Sequence, residues 1–184
     1  MNKQISLRKA AILIVLAAVL VGSVAASIMY SRTITNTATI KAAWGISLWR
    51  MDGAYVNPVE LITSIAWGEL DPGTTKNTNS LFGTCLKLKN DGNAEVHVAW
   101  QLDPTTPLPS GVSLTAWYSN SGGTYWALAE NDFAIITIQP GQCSGDAGYP
   151  NSGKIEFRLT IDQFAPPTAF GFNILLNAAD SASG

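Results

Sequence analysis

Charged side chains are scarce in this sequence of 184 residues. Only 13% of its residues are Asp, Glu, Lys or Arg, and the formal net charge at pH 7 is -2, whereas soluble domains average roughly 25% charged residues. No run of basic residues occurs downstream of the first ten positions. Because nucleic-acid binding depends on neutralising phosphates with basic side chains, we expect no nucleic-acid partner.

Residues that carry acid-base and metal chemistry are equally few. His97 is the only histidine, which excludes most catalytic and metal-binding schemes that need two imidazoles. The sequence contains no H-E-x-x-H, G-x-S-x-G, P-loop or dinucleotide-binding signature, and no close carboxylate pair of the kind a glycosidase uses. We therefore expect no catalytic residue, no metal and no cofactor, and a protein that is not an enzyme.

Cysteine occurs twice, as Cys85 and Cys143. No C-x-x-C spacing is present, so neither a zinc knuckle nor a redox motif is expected. In an oxidising compartment an even number of cysteines favours a disulfide between them. A pair of buried free thiols remains the open alternative.

The first 26 residues have the layout of a secretory signal peptide. Lys3, Arg8 and Lys9 form a basic start, residues 10–21 are apolar, and small residues follow. Cleavage before Ser27 would give a secreted chain that meets the membrane only during export. Two alternatives stay open: an uncleaved membrane anchor, and an archaeal prepilin leader whose apolar stretch is retained as a filament-core helix.

Nearly every segment after the leader shows the period-two alternation of β-strands. In the clearest hairpin the two strands meet at Asp91-Gly92, a dipeptide typical of tight turns. Its expected inward side chains are Leu86, Leu88, Val96, Val98, Trp100 and Leu102. Roughly nine or ten strands without helical periodicity predict an all-β, two-sheet sandwich of jelly-roll or immunoglobulin type. The sandwich is expected over residues 42–184, after the signal peptide (1–26) and an N-terminal strand (27–41).

The N-terminal strand precedes the first turn signal. Its apolar positions share one face: Ile28, Tyr30, Ile34, Ala38 and Ile40. Such a strand can pair within its own sandwich, or it can complete the sheet of a neighbouring molecule through main-chain hydrogen bonds and pockets for alternate side chains. The second arrangement is head-to-tail and does not close on itself, so it propagates a filament.

Three motifs carry a family resemblance: residues 36–40 (NTATI), 67–74 (WGELDPGT) and 86–93 (LKLKNDGN). They resemble the successive motifs of the TasA/camelysin family of biofilm matrix fibre proteins, in particular its archaeal members, the bundling pilins. The resemblance implies a jelly-roll subunit, Sec export, and fibres assembled by donor-strand complementation. The camelysin branch has been described as a metallopeptidase, but this chain lacks the ligands for that activity.

Together these features predict a structural protein, the subunit of an extracellular pilus or biofilm matrix fibre on the cell surface. We expect a homopolymer that grows head-to-tail, bundles laterally and supports cell-cell adhesion, because a surface with few ions loses little hydration on bundling. One alternative is an archaeal type IV pilin with a retained N-terminal helix. The other is a monomeric glycan-binding module that uses tryptophan side chains. Against it, we expect Trp49, Trp67 and Trp100 to pack inside the sandwich.

Overall fold

Strand pairing accounts for most of the described part of the chain. The computed structural model describes five stretches: residues 36–42, 45–119, 123–145, 152–166 and 169–180. They belong to one unit of the chain, Ile34–Gly184, and within them lie twelve β-strands and one short helix. The all-β, two-sheet class predicted from the alternation is therefore confirmed.

The smaller sheet, sheet A, contains five strands. Their bounds are β1 (Asn36–Ala42), β4 (Ser64–Gly68), β7 (Val96–Leu102), β10 (Ile136–Ile138) and β12 (Gly171–Ala179). The order across the sheet is β10-β7-β12-β1-β4, so that β1 has a strand on each side. The boundary expected between residues 41 and 42 therefore falls inside β1.

The larger sheet, sheet B, contains seven strands. Their bounds are β2 (Ile46–Met51), β3 (Pro58–Leu61), β5 (Thr75–Asn77), β6 (Leu86–Asn90), β8 (Val112–Ser119), β9 (Tyr125–Leu128) and β11 (Lys154–Ile161). Six of them follow the order β3-β2-β6-β11-β8-β9, while β5 pairs with β11 beside β6. The chain passes between the sheets repeatedly, since β1, β4, β7, β10 and β12 alternate in sequence with strands of sheet B.

A five-residue helix, α1 (Thr78–Phe82), connects β5 to β6. The Asn77 side chain caps its start by accepting a hydrogen bond from the Ser80 amide at 2.8 Å. Gly83 ends it with a φ of 66°, a left-handed conformation that glycine adopts without steric cost. A helix this short has too few turns to show helical periodicity, which is why the sequence pattern missed it.

The core lies between the two sheets. The hairpin predicted at Asp91-Gly92 is wrong, because β6 lies in sheet B, β7 lies in sheet A, and the two strands pair with other neighbours. Leu86, Leu88, Val98 and Trp100 are all buried as the alternation required, since the two strands face each other across the core. Strands β11 and β12 supply further buried residues in the same period-two pattern: Ile155, Phe157, Leu159, Ile161, Phe172, Ile174 and Leu176. The sandwich is thus held mainly by branched aliphatic and aromatic side chains from alternate strand positions.

The expected disulfide is not present, because Cys85 and Cys143 are free thiols. Cys143 lies opposite Lys89, and at ~3.3 Å per residue that position is about 13 Å along the strand from Cys85. Two cysteines whose Cα atoms are more than about 7 Å apart cannot be bridged without backbone movement. Backbone hydrogen bonds hold this loop on β6 instead, including one of 2.7 Å from the Ser144 amide to the Leu88 carbonyl.

The predicted signal peptide, together with Ile28, Tyr30 and Ile34, lies outside the described residues. In the part of the chain that is described, no helix has the length and hydropathy needed to cross a membrane.

Candidate subunit interface

Strand β1 is the described half of the predicted donor strand, and it occupies an internal place in sheet A. It pairs in parallel with β12, where Thr37 lies opposite Gly171 and Ile40 opposite Ile174. On its other side it pairs antiparallel with β4, where Thr39 lies opposite Ser64. Both main-chain edges of β1 are therefore used, in a sheet formed by the same chain.

Over residues 36–40, the part of β1 whose side chains are described, few large apolar groups enter the core. Ala38 is fully buried, Ile40 is half-buried, and Thr37 and Thr39 face solvent. The predicted inward positions of Ala38 and Ile40 are thus confirmed. The neighbouring strand β12 buries three large side chains, so β1 depends far more on its main-chain hydrogen bonds than β12 does.

The N-terminal end of β1 contains an unusual set of buried polar atoms. The pairing with β4 is irregular here, since Asn36 lies opposite Gly68 and Thr37 opposite Ala66, which leaves Trp67 as the extra residue of a bulge. Asn36 and Trp67 are both 0% exposed. The Asn36 side-chain amide and the Trp67 indole nitrogen Nε1 have no hydrogen-bond partner. A buried polar group without a partner costs roughly 1–3 kcal/mol.

The place that β1 occupies is a groove suited to an extended chain. Its walls are the main-chain edges of β12 and β4, and the buried side chains of these two strands beside it include Ile65, Trp67, Phe172 and Ile174. The Ala38 methyl group is fully enclosed at its position in the groove, where Ala38 is 0% exposed. The groove can therefore bind a β-strand through main-chain hydrogen bonds and select it by the size of its inward side chains.

A second polar cluster lies on the outer face of sheet B, around Lys87 and Glu156. Lys87 is only 6% exposed and lies opposite Lys154. Burial lowers the pKa of Lys87, and burial raises the pKa of both cysteine thiols, although the Lys87 charge opposes that rise.

Glu156, 4% exposed, accepts hydrogen bonds from Asn79 Nδ2 at 2.6 Å and from Arg158 Nε. Its charge is therefore compensated within the face of the sheet. Over the stretches that the structure describes, no group of three or more His, Cys, Asp or Glu residues could hold a metal ion.

The tryptophans are distributed over different surfaces. Trp67 and Trp100 are in the core as predicted, but Trp49 is on the outer face of sheet B, below Lys89 at 5.8 Å. Trp117 lies on the same face with the Arg158 guanidinium 4.1 Å from its ring centroid. Because these two ring faces already carry cations, they are not free for stacking on a sugar.

His97 lies on the outward row of β7, with Nδ1 3.2 Å from Thr137 Oγ1.

The sequence pattern missed two features of these sites. Asn36 has the same parity as Ala38 and Ile40, so its inward position was available from the alternation although the residue is polar. Lys87 had no such signal, because its alternation with Leu86 and Leu88 is typical of a solvent-facing lysine. Comparison with models of known protein families, with curated protein sequences and with solved structures gives no match.

Proposed function

We propose that this chain is a structural subunit that polymerises by strand exchange. In the polymer, β1 of one copy occupies the groove between β12 and β4 of the next copy, in the place that its own β1 fills in the single chain. Each copy then donates one strand and accepts one, so the assembly is head-to-tail and open-ended.

The observation that carries this proposal is the internal position of an N-terminal strand with few side-chain anchors. An identical strand from a second copy would form the same main-chain hydrogen bonds and place the same Ala38 methyl in the same position. The two arrangements therefore differ little in contact energy, and protein concentration and the geometry of the connection decide between them.

The wider proposal is an exported subunit of an extracellular pilus or matrix fibre that bundles and supports cell-cell adhesion. It is supported by the leader-like first 26 residues, by the low charge of the chain, and by the resemblance to the TasA/camelysin fibre proteins. For the fold we propose a jelly roll, which the repeated passage of the chain between the two sheets favours. The alternatives are the retained-helix pilin and the glycan-binding module. They would become the favoured functions if the following experiment showed no strand exchange.

A cysteine pair across β1 and β4 tests strand exchange directly. Thr39 and Ser64 are register partners with exposed side chains, and antiparallel partners have Cα atoms roughly 4.5–5.5 Å apart, a distance that a disulfide spans. We expect Thr39→Cys with Ser64→Cys, oxidised after assembly, to give a ladder of covalent multimers on a non-reducing gel. A reducing agent should return the ladder to single chains.

A matched pair within the acceptor provides the control. Thr137 and His97 are register partners on β10 and β7, neither of which is exchanged, so Thr137→Cys with His97→Cys should link each chain only to itself. Both variants are made with Cys85→Ser and Cys143→Ser to remove the native thiols. Filaments in which the β1–β4 pair yields only single chains would show that β1 remains in its own sheet.

A further inference from the structure

Unpaired buried polar atoms are concentrated where β1 enters sheet A. Four buried side-chain atoms lack a hydrogen-bond partner in the described stretches, and three of them belong to Asn36 and Trp67, on either side of the β1–β4 bulge. We propose that Asn36 sets the rate at which β1 leaves the sheet and so keeps the strand exchangeable. This inference rests on the proposed strand exchange for its biological meaning, but not for its test.

The physical reason is an uncompensated loss of hydration. Outside the sheet, the Asn36 amide has water partners for its two N–H groups and its carbonyl oxygen. Inside the sheet no protein group is a hydrogen-bond partner for it, although the strand's main chain is paired with β12 and β4. The inserted state is therefore raised in free energy relative to the released state, which lowers the barrier to release.

This effect changes the rate of exchange but not its direction. The same amide is buried whether β1 lies in its own sheet or in that of another copy, since the groove is the same. Asn36 therefore raises the free energy of both inserted states equally. Its consequence is that a strand held by hydrogen bonds on both edges can still be released and recaptured.

A shift in register does not remove the problem. Moving the strand by two residues, so that Ala38 takes the Asn36 place, would put Ile40 at the fully buried Ala38 position. Inserting a larger side chain into a well-packed site forces side chains and backbone to move. The small residue Ala38 therefore fixes the register, and that register fixes Asn36 beside Trp67.

Amide hydrogen exchange in Asn36→Val tests the inference on dilute single chains of full length. Valine removes the polar atoms and keeps a branched side chain, so we expect the β1 amides to exchange at least about tenfold more slowly than in the unsubstituted protein. Asn36→Ala is the second variant, since it removes the amide without requiring space. Thr37→Val is the matched control, because its side chain is exposed on the opposite face of the same strand.

The outcomes separate this inference from the proposed function. Slower exchange in either Asn36 variant, with the Thr37 variant unchanged, supports the role of Asn36 even if the cysteine pair never links two copies. If both Asn36 variants exchange as fast as the unsubstituted chain or faster, the inference is overturned, even where the β1–β4 pair gives a clear ladder. An equal slowing by Thr37→Val would also overturn it, because the effect would then come from β-propensity.

Discussion

Replacing Lys87 by methionine should stabilise this protein. The Lys87 side chain is 6% exposed, and no hydrogen bond or ion pair joins its ammonium to another described residue. Methionine keeps an unbranched apolar side chain of similar length and removes the charge. Replacing a buried ion pair by apolar side chains of similar volume often stabilises proteins by about 1–4 kcal/mol. Lys87 has no counter-charge to offset the cost of its burial, so we expect Lys87→Met to raise the free energy of unfolding by about 2 kcal/mol near neutral pH.

The pH dependence follows from the direction of the pKa shift. Burial lowers the pKa of Lys87 below its ordinary value of 10.5, so between the folded-state and unfolded-state pKa values the unfolded chain binds more protons. Stability of the unsubstituted protein therefore rises with pH in that interval. The penalty is fully present below the folded-state pKa and disappears above 10.5. The advantage of Lys87→Met should accordingly shrink as the pH approaches 10.5.

Urea unfolding at several pH values measures both effects. Lys89→Met is the matched control, because Lys89 is on the same strand two residues away and its charge is paired with Asp91 at the surface. The control should change stability little and should not reproduce the pH trend. An unfolding free energy for Lys87→Met at or below that of the unsubstituted chain near pH 7 would refute the reasoning, as would an advantage that stays constant up to pH 10.5.

Two further predictions concern β1 and the thiols. Ala38→Leu should destabilise the insertion of β1 by about 1–3 kcal/mol through overpacking, seen as faster exchange of the β1 amides. Thr39→Leu, on the exposed side of the strand, should leave that exchange rate nearly unchanged. Alkylation of the denatured, unreduced chain should label both Cys85 and Cys143, since both are free thiols. If mass spectrometry finds neither cysteine alkylated, the two form a disulfide and this prediction is wrong.

Local patterns predicted the strands well because period-two alternation is a property of each strand alone. Strands β6 and β7 are the clearest example, since the inward Leu88 and Val98 appear where the pattern placed them. The hairpin expected between them was wrong, because a turn signal alone does not show whether the next strand pairs in the same sheet or crosses to the other one. The disulfide prediction was wrong for a similar reason. The cellular compartment and an even number of cysteines give no information about the distance between two cysteines. The position of Cys143 opposite Lys89 shows that Cys143 lies too far from Cys85 for a disulfide.

The burial of Lys87 likewise depends on segments distant in sequence. The outer face of sheet B is partly covered by the turn between β2 and β3, where the Tyr55 ring lies 3.8 Å from the Lys154 ammonium. Tyr55 has a φ of 61°, an uncommon conformation for a bulky residue. Neither the covering turn nor its backbone geometry is visible in the alternation of β6, so a pattern that reads Lys87 as exposed could not have found it.

The alternation of β1 could not decide between its own sheet and that of a neighbour, because both give the same hydrogen bonds and bury the same side chains. The short connection from β1 to β2 limits how far a donated β1 can lie from the rest of its own subunit, and the alternation gives no information on that distance. Strand β1 ends at Ala42 and β2 begins at Ile46, and the four Cα–Cα steps between these two residues span at most about 14 Å. A donated β1 therefore keeps the donor's sandwich directly beside the end of the acceptor groove. Strand exchange through this connection predicts closely packed subunits rather than sandwiches separated by a linker.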